Sequence, residues 1–382
     1  MNLLKNQKQP DILFVVNDFS FLRSHRLNLI NYLIKKGLNI SLATNLSSCS
    51  ELELKSLHAT FQDVVDFRDN RSSINPLSNL ISLIKLFLII KRIAPKKLSL
   101  VSPKPIILGG LASLFLDIKK VFFTISGMGY VFIDQSLKAR FLRRLVLLLY
   151  KIIFSPKHST VIFQNSDDRS MFLDKKIVPR SRSIIIQGNG INMSSFDRKS
   201  KYPEKLTFLF ASRLLIDKGI YEYIKALESI DNKNIIFKVA GGIDEKNPNS
   251  LSLTDLDILE SNKRIDYIGK VDYKDMPALL ESAHIFVLPS YREGLPQVAL
   301  EAAACSMPLI LTDVNGCRDC VIDNEGGFLV NSHDWKDLRE KINFFIENSE
   351  KVELMGNQSR QYVMNNFSDT VVHKKFFELY SD

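Results

Sequence analysis

Short apolar runs alternate with longer amphipathic stretches along much of the chain. In its first half, the runs at 11–17, 38–44 and 121–125 are rich in Ile, Val, Leu and Phe and end at polar residues, which is typical of buried strands. Between the first two runs, residues 24–36 have the apolar spacing of a helix that ends at Gly37. Strands that alternate with helices in this way predict a doubly wound α/β fold around a parallel sheet.

The same pattern returns after a break at 195–205, where Ser, Lys and Pro dominate. Further buried strands are predicted at 206–211, 283–288, 309–312 and 326–330. With 382 residues the chain is long for one domain and sufficient for two, each with its own core. We therefore expect two α/β domains, at residues 1–197 and 198–365.

The stretch 283–305 carries the clearest chemistry. Its apolar strand is followed by a loop containing Gly294 and by a helix rich in Ala, Leu and Glu that begins near Pro296. Backbone N–H groups at the start of such a helix lack partners and suit an anionic or polyhydroxylated ligand. Glu293 and Glu301 frame the loop, and carboxylates are good acceptors for sugar hydroxyls. The alternative is a loop acid and a second acid on an ordinary solvated helix face.

The whole string from Pro289 to Glu301 resembles the Glu-x7-Glu signature of the retaining glycosyltransferases of family 4. These have the GT-B fold, in which two Rossmann-like doubly wound domains face a central cleft. The matching positions are Pro289, Ser290, Tyr291, Glu293, Gly294, Pro296 and Glu301. The resemblance implies that Glu293 contacts the donor sugar in catalysis and that Glu301 binds the ribose hydroxyls of a nucleotide-sugar. It also implies donor-binding roles for Gly269, Gly294, Leu295, Pro296 and Gln297.

Residues 212–219 resemble a second element of this family, an Arg followed by Lys-Gly, in which both cations hold the nucleotide diphosphate. Arg213 offers a guanidinium fork and Lys218 a point charge, and both would stabilise charge on a departing diphosphate. Asp255-Leu256-Asp257 has the spacing of a metal-binding Asp-x-Asp. The resemblance implies no metal site there, so we treat this segment as surface. We expect no cofactor, because the nucleotide-sugar is a substrate.

Two segments of the first domain are candidates for the acceptor site. The loop at 18–26 should lie beyond the carboxyl end of the first strand, where ligands bind in this fold. It resembles a subgroup whose loop reads aromatic-Leu-x-His-Arg, which implies that His25 and Arg26 lie at the acceptor, and the guanidinium of Arg26 suits a diphosphate. The alternative is that both are solvated helix residues.

The second segment is Gly127-Met128-Gly129 with the residues up to Ala139. It resembles bacterial transferases that add N-acetylgalactosamine to sugars linked to undecaprenyl diphosphate. This resemblance implies acceptor-binding roles for Gly127, Met128 and Gly129. Ser126 stands where that group often has Glu.

Charge is divided unevenly along the chain. Residues 1–195 contain 28 Lys and Arg against 12 Asp and Glu, whereas the remainder contains 23 against 30. Such asymmetry indicates that the first half meets an anionic surface. Helix-turn-helix, zinc-finger and aromatic RNA-binding motifs are absent from the sequence, so nucleic acid is not the expected partner.

Segments 77–93 and 138–157 interleave Lys and Arg with long apolar side chains, which favours helices lying in the interface of an anionic membrane. Charges interrupt both, so neither provides the roughly 20 apolar residues of a spanning helix. Residues 1–10 are polar and lack the apolar core of a signal peptide. We therefore expect a cytoplasmic protein, peripheral at the inner face of the cytoplasmic membrane. The alternative is a pair of amphipathic helices whose basic edges face water.

With the resemblance, these features predict a retaining transferase that moves a sugar from a UDP-sugar to an undecaprenyl-diphosphate-linked sugar in O-antigen or other surface-polysaccharide assembly. GalNAc or a related hexosamine or hexose is the expected sugar. The first domain would bind acceptor and membrane, the second would bind the donor, and the C-terminal helix at 366–382 would pack back on the first. The alternatives are a transferase with a soluble acceptor, a nucleotide-sugar 2-epimerase and a sugar-nucleotide-binding subunit without catalytic activity.

Overall fold

The computed structural model describes residues 9–67, 76–126, 137–232, 234–244, 247 and 249–382. The chain divides into two compact units. The first runs to Asn189 and also includes Lys375–Asp382, and the second is Gly190–Lys374. Each unit is described by itself below.

The described part of the first unit is built on a parallel sheet. Its strands are β1 (Ile12–Asp18), β2 (Ile40–Asn45), β3 (Val64–Asp66), β4 (Lys97–Val101), β5 (Lys120–Ile125), β6 (Ser159–Phe163) and β7 (Ser183–Ile185). Their order is β3-β2-β1-β4-β5-β6-β7, and every neighbouring pair is parallel. The strands follow one another outward in both directions from β1 and β4, which is the doubly wound arrangement predicted from the sequence.

Helices connect these strands. They are α1 (Phe19–His25), α2 (Leu27–Lys35), α3 (Glu51–Thr60), α4 (Pro76–Ile93), α5 (Pro103–Ser113), α6 (Leu137–Ile153) and α7 (Ser166–Asp174). Where one helix was predicted at 24–36, the structure has two, separated at Arg26. The first begins earlier than predicted because Asp18 Oδ1 accepts a hydrogen bond from the N–H of Phe21 (2.8 Å) and caps it.

Helix α5 packs between α4 and α6 in one core, and two adjacent glycines make this possible. A β-carbon on Gly109 would overlap the side chain of Leu100, and one on Gly110 would overlap Ile153 of α6. Leu86 of α4 belongs to the same buried cluster. The three helices therefore lie close enough to share one apolar layer against the sheet.

The second unit contains a second parallel sheet. Its strands are β8 (Leu206–Ala211), β9 (Ile235–Ala240), β10 (Ile265–Gly269), β11 (Ile285–Leu288), β12 (Leu309–Thr312) and β13 (Gly327–Val330). Among the described residues their order is β10-β9-β8-β11-β12-β13. The helices are α8 (Ile220–Glu228), α9 (Leu253–Ser261), α10 (Met276–Glu281), α11 (Gln297–Ala304), α12 (Trp335–Glu347) and α13 (Lys351–Phe367). The last helix, α14 (Asp369–Ser381), begins in the second unit and ends in the first. The fold class predicted from the sequence, two Rossmann-like units with parallel sheets, is confirmed.

Helix α14 supplies residues to the core of the first unit. Tyr380 is fully buried there, with its hydroxyl 2.8 Å from Ser99 Oγ and its backbone carbonyl accepting a hydrogen bond from Lys97 Nζ at 2.6 Å. Its ring meets Phe122 and Phe14 edge-on, at centroid distances of 4.8 and 5.5 Å. Residues far apart in sequence thus complete one hydrophobic core.

Candidate active site

Two loops of the second unit fit closely against each other. One follows β8 and contains Lys218 and Gly219, and the other follows β11 and begins at Pro289. Gly219 has a positive φ of 75°, and a β-carbon on it would overlap the carbonyl of Pro289. The N–H of Tyr291 donates to the carbonyl of Asp217 at 2.9 Å. This packing brings together the two sequence elements that were predicted to hold the donor.

Lys218 and Glu293 form an ion pair at the junction of these loops. Lys218 Nζ lies 2.5 Å from Glu293 Oε1, and the side chains are only 15% and 12% exposed. Ser290 Oγ donates to the same carboxylate oxygen at 2.9 Å, and the N–H of Glu293 donates to the carbonyl of Asn315 at 3.3 Å. A cation and a carboxylate are therefore fixed side by side where water is scarce, and electrostatic interactions are strong there.

A third loop, after β12, supports the second. Gly316 has a positive φ of 78°, and a β-carbon on it would meet the carbonyl oxygens of Gly294 and Glu293. Only glycine satisfies both the φ value and the close approach. The backbone of Glu293 is therefore held from both sides.

Arg213 lies apart from this ion pair. Its Nη1 bonds Asp244 Oδ2 at 3.1 Å, and its side chain is 59% exposed. An ion pair so exposed contributes little to stability, so Arg213 can change partners at small cost. The structure brings Lys218 and Glu293 together, whereas the part of Arg213 in catalysis stays a prediction.

Glu301 is buried on α11, with 2% of its surface exposed. Its Oε1 accepts hydrogen bonds from Tyr273 Oη (3.1 Å) and Gln297 Nε2 (3.2 Å). Burial raises the pKa of the Glu301 carboxyl to about 7, although the hydrogen bonds from Gln297 and Tyr273 act in the opposite direction. Glu301 can therefore gain or lose its charge near neutral pH.

The sequence did not single out Tyr273. It lies in a 3-10 turn, Tyr273–Asp275, a few residues after the end of β10. No motif marks it, since it reaches Glu301 only through the fold. Asp244, Ser290 and Asn315 were likewise not recognised as partners of the predicted site.

The other predicted donor-binding positions lie at the start of α11 and at the end of β10. Pro296 is the N-cap residue of α11, and Leu295 is partly buried against the core of the second unit. Gly269, at the end of β10, has a positive φ of 79° with open space around its α-carbon. Here the backbone angle, and not crowding, favours glycine.

The two residues predicted for the acceptor site on the first loop have different surroundings. The ring of His25 stacks on Phe21 at a centroid distance of 4.5 Å, and its Nδ1 lies 2.6 Å from Ser24 Oγ. Arg26 is 1% exposed, and its guanidinium lies 5.5 Å from the ring centroid of Phe376 on α14. Burial lowers the pKa of Arg26 to about 10.

Arg26 is thus not a solvated helix residue, contrary to one of the two expectations. Its Nε and Nη2 make no hydrogen bond within the described part of the chain. The acceptor role of Arg26 stays a prediction. Gly127, Met128 and Gly129 lie outside the described residues.

The segment Asp255–Asp257 has a structural role at the start of α9. The Asp255 carboxylate accepts a hydrogen bond from the N–H of Ser252 (3.0 Å), and the N–H of Asp255 donates to Ser252 Oγ (3.1 Å), so the two residues form a capping box. Within the described ranges, no group of three or more His, Cys, Asp and Glu side chains is placed to hold a metal ion.

Helices α4 and α6 expose apolar side chains. We call this surface the α4–α6 face; its apolar members are between 38% and 66% exposed. They are Leu77, Leu80, Ile81, Ile84, Leu88, Phe141, Leu142, Leu145, Leu148 and Ile152. Its exposed basic members are Lys85, Lys91, Arg92, Arg140, Arg144 and Lys151.

On α6 the two kinds of side chain form adjacent stripes. Phe141, Leu145, Leu148 and Ile152 follow one another at intervals of three or four residues, so they lie on one face of the helix. Arg140, Arg144 and Lys151 each stand one position before a member of that stripe. In the part of the chain that the structure describes, no helix is both long enough and apolar enough to cross a membrane.

Comparison with known proteins agrees with this geometry. Residues 193–362 match the family of glycosyl transferases group 1, and residues 11–165 match the glycosyl transferase 4-like family. The first match contains every residue of the Lys218–Glu293 and Glu301–Tyr273 contacts. Together the two matches cover most of the chain, which is a glycosyltransferase of the group 1 and 4-like kind.

This glycosyltransferase has relatives of similar length. It is 27% identical over 331 residues to N,N'-diacetylbacillosaminyl-diphospho-undecaprenol alpha-1,3-N-acetylgalactosaminyltransferase of Campylobacter jejuni subsp. jejuni, covering 83% of the chain and 85% of the relative. It is 28% identical over 338 residues to UDP-Gal:alpha-D-GlcNAc-diphosphoundecaprenol alpha-1,3-galactosyltransferase of Escherichia coli, covering 82% and 81%.

The fold of the glycosyltransferase is similar to that of sucrose-phosphate synthase from Thermosynechococcus elongatus. The TM-score is 0.80 over 98% of both chains, at 18% sequence identity. This likeness concerns the fold alone. The predicted GT-B fold and the predicted enzyme class, glycosyltransferase, are both confirmed.

Proposed function

We propose that this glycosyltransferase moves a sugar from a UDP-sugar to a sugar carried on undecaprenyl diphosphate, in the assembly of a surface polysaccharide. The observation that carries the proposal is the pairing of Lys218 with Glu293 on two interlocked loops, beside the start of the helix that bears Glu301. The two relatives above act on diphospho-undecaprenol acceptors and support the acceptor class. A galactose or N-acetylgalactosamine donor is the first expectation.

The proposed chemistry divides among three charged residues. As the bond from the sugar C1 to the diphosphate breaks, its electron pair leaves with UDP, and the Lys218 ammonium stabilises the charge that develops. Because Lys218 then also interacts with the diphosphate, its ion pair with Glu293 weakens, and the Glu293 carboxylate accepts hydrogen bonds from the hydroxyls of the donor sugar. Arg213 supplies a second cation to the diphosphate after it leaves Asp244.

The acceptor hydroxyl oxygen then bonds to C1 and releases its proton. We propose retention of the anomeric configuration, with attack from the side on which the diphosphate departs. A diphosphate oxygen is then the nearest base for the proton, and no protein base is required. The reaction as proposed needs no metal ion, because cationic side chains neutralise the leaving group.

We further propose that the α4–α6 face binds the anionic surface of the membrane that carries the acceptor, on its cytoplasmic side. Exposed apolar stripes flanked by Lys and Arg match an interface where acyl chains lie beneath negatively charged headgroups. This surface presents both groups along the length of α6. Such attachment would confine the enzyme to the plane in which its lipid-linked substrate moves.

A donor screen tests the proposed function. Purified protein is mixed with short polyprenyl-diphosphate-GlcNAc or -GalNAc and a panel of nucleotide-sugars, and the mass of the lipid product is measured. We expect one added hexose or hexosamine with a UDP-sugar, loss of that product in Glu293→Gln, and no change in Glu325→Gln, an exposed acid of the same unit. The anomeric configuration of the product reports on retention.

Other outcomes would point elsewhere. Release of UDP without a lipid product would favour a soluble acceptor. A changed donor sugar in the absence of any acceptor would identify a nucleotide-sugar 2-epimerase. Binding of UDP without any turnover would indicate a non-catalytic binding subunit.

A further inference from the structure

Tyr273 is the residue that connects the end of β10 to the buried carboxylate of Glu301. Its hydroxyl lies 3.1 Å from Glu301 Oε1, and its ring meets Phe196 at a centroid distance of 6.5 Å and an angle of 67°. The aromatic contact fixes the direction of the ring, so the hydroxyl is aimed at the carboxylate. Tyr273 is 44% exposed and lies at the surface, whereas the side chain of Glu301 beside it is buried.

Both hydrogen bonds to Glu301 end on the same oxygen. Gln297 Nε2 donates to Oε1 at 3.2 Å and Tyr273 Oη donates to it at 3.1 Å. Oε1 has two lone pairs, and two donors occupy them. Among the described residues, no hydrogen bond reaches Oε2.

We propose that Tyr273 is a positioning residue for the donor: with Gln297 it holds Oε1 of Glu301 and so turns Oε2 towards the ribose hydroxyls of the nucleotide. This inference rests on the proposed function, in which Glu301 binds the ribose. It goes further in naming the atom that binds and the side chain that orients it. A carboxylate fixed in this way loses little rotamer freedom when the ligand arrives.

The charge state of the pair fits this arrangement. Burial raises the pKa of Glu301 and the hydrogen bonds from Gln297 and Tyr273 lower it, and the balance of the two places it at about 7. Among the residues that the structure describes, Tyr273 is the titratable group that contacts Glu301. Burial, and then the neighbouring Glu301 charge, raises the pKa of Tyr273 well above its ordinary value, so it remains a hydrogen-bond donor at neutral pH.

The test removes the hydroxyl of Tyr273 from the protein and the two ribose hydroxyls from the ligand. Calorimetry gives the Kd of UDP and of 2',3'-dideoxy-UDP for wild type and Tyr273→Phe, which keeps the ring contact with Phe196. We expect UDP binding to weaken roughly tenfold in the variant, because a hydrogen bond to a charged group is lost. Dideoxy-UDP, which cannot reach Oε2, should lose less than about twofold.

Tyr202→Phe is the matched control. It also removes a tyrosine hydroxyl that bonds within the second unit, to the carbonyl of Ser306 at 2.9 Å. UDP should bind this variant as it binds wild type. Equal losses for UDP and dideoxy-UDP in Tyr273→Phe would overturn the inference, because they would indicate a general structural defect.

The pH dependence gives a second readout that a structural defect would not move. Ribose binding needs an ionised Glu301, so UDP affinity should fall as the pH falls through about 7. Loss of the Tyr273 hydrogen bond destabilises the carboxylate, so the fall should occur at higher pH in Tyr273→Phe. If the midpoint of this pH dependence were the same in Tyr273→Phe as in wild type, the positioning role of Tyr273 would be refuted, and the proposed function would be unaffected. Failure of wild type to bind UDP at any pH would instead remove the proposed function, and this inference with it.

Discussion

The ammonium of Lys218 lies 2.5 Å from a carboxylate oxygen of Glu293, and solvent reaches little of either side chain. Each charge is therefore stabilised mainly by the other, because neither side chain is fully hydrated. The contact is therefore a structural element of the second unit as well as a part of the catalytic apparatus in the function proposed above. Variants of Lys218 and Glu293 can separate the catalytic role from the structural one.

Lys218→Met should destabilise the second unit by about 3 kcal/mol, since it leaves the Glu293 carboxylate buried without a cation. The double variant Lys218→Met/Glu293→Gln should recover most of that stability while remaining inactive. Urea unfolding of wild type, the single variant and the double variant measures their free energies of unfolding. Arg213→Met is the control, and it should cost less than about 1 kcal/mol because its ion pair with Asp244 is exposed. Equal costs for Lys218→Met and Arg213→Met would contradict the prediction.

Glu301→Gln should remove a pH dependence of stability. The pKa of Glu301 is raised to about 7 in the folded protein from an ordinary value of 4.5, so the folded state holds a proton that the unfolded state lacks between these values. The contribution of Glu301 to stability therefore increases as the pH falls from 8 towards 5, by up to about 3 kcal/mol.

This effect is opposite to the effect proposed above for nucleotide binding, in which the ionised form of Glu301 binds the ribose. Thermal unfolding of wild type and Glu301→Gln from pH 5 to pH 8.5 tests it. The variant should be the more stable protein at pH 8, and the two should converge at pH 5. Parallel curves across the range would show that Glu301 titrates at its ordinary pKa.

Reversal of charge on α6 should release the enzyme from anionic membranes. Arg140→Glu/Arg144→Glu/Lys151→Glu should weaken binding to phosphatidylglycerol vesicles by at least about tenfold, because each basic residue near the surface contributes roughly 1 kcal/mol. Lys35→Glu/Lys36→Glu/Lys55→Glu makes the same change of charge on exposed residues elsewhere in the first unit. Vesicle sedimentation that falls equally for both triple variants would indicate an effect of net charge and not of the α4–α6 face.

Removal of exposed apolar side chains should affect the membrane and not the fold. Leu148→Ser/Ile152→Ser should reduce vesicle binding at high salt, where apolar insertion is the remaining attraction, and leave unfolding unchanged. Ile153→Ser, at the next position but buried, should destabilise the first unit by about 3 kcal/mol. If Leu148→Ser/Ile152→Ser lowered stability as much, the two side chains would have to pack inside the protein.

Much of the fold could be predicted because its strands are buried on both sides and therefore read as continuous apolar runs. The strand predicted at 309–312 has those bounds in the structure. Strand β4 and helix α5 were not predicted, although β4 is central to the first sheet. Ser99 interrupts the short apolar run of β4, and α5 contains two prolines and two glycines that mask its helical pattern. Those glycines serve packing, which a local pattern does not show.

The candidate site was predictable where its residues form local motifs, as Glu293 and Lys218 do. The Tyr273–Glu301 contact joins a turn to a helix 28 positions away, and no periodicity connects them. The burial of Arg26 depends on Phe376, which is 350 positions away. Contacts of this kind are set by the topology of the fold, so a short sequence motif does not predict them.

The place of Tyr380 in the first core has a consequence for synthesis on the ribosome. Residues up to Asn189 emerge first, yet Ser99, Phe14 and Phe122 must wait for a partner that is made about 190 residues later. At the usual rates of elongation that interval is roughly 10–40 s. During it, Phe14 and Phe122 lack the ring contacts that Tyr380 makes in the finished protein, and a chaperone bound to them would have to leave before Tyr380 can enter. The order of translation and the order of core completion therefore differ in this enzyme.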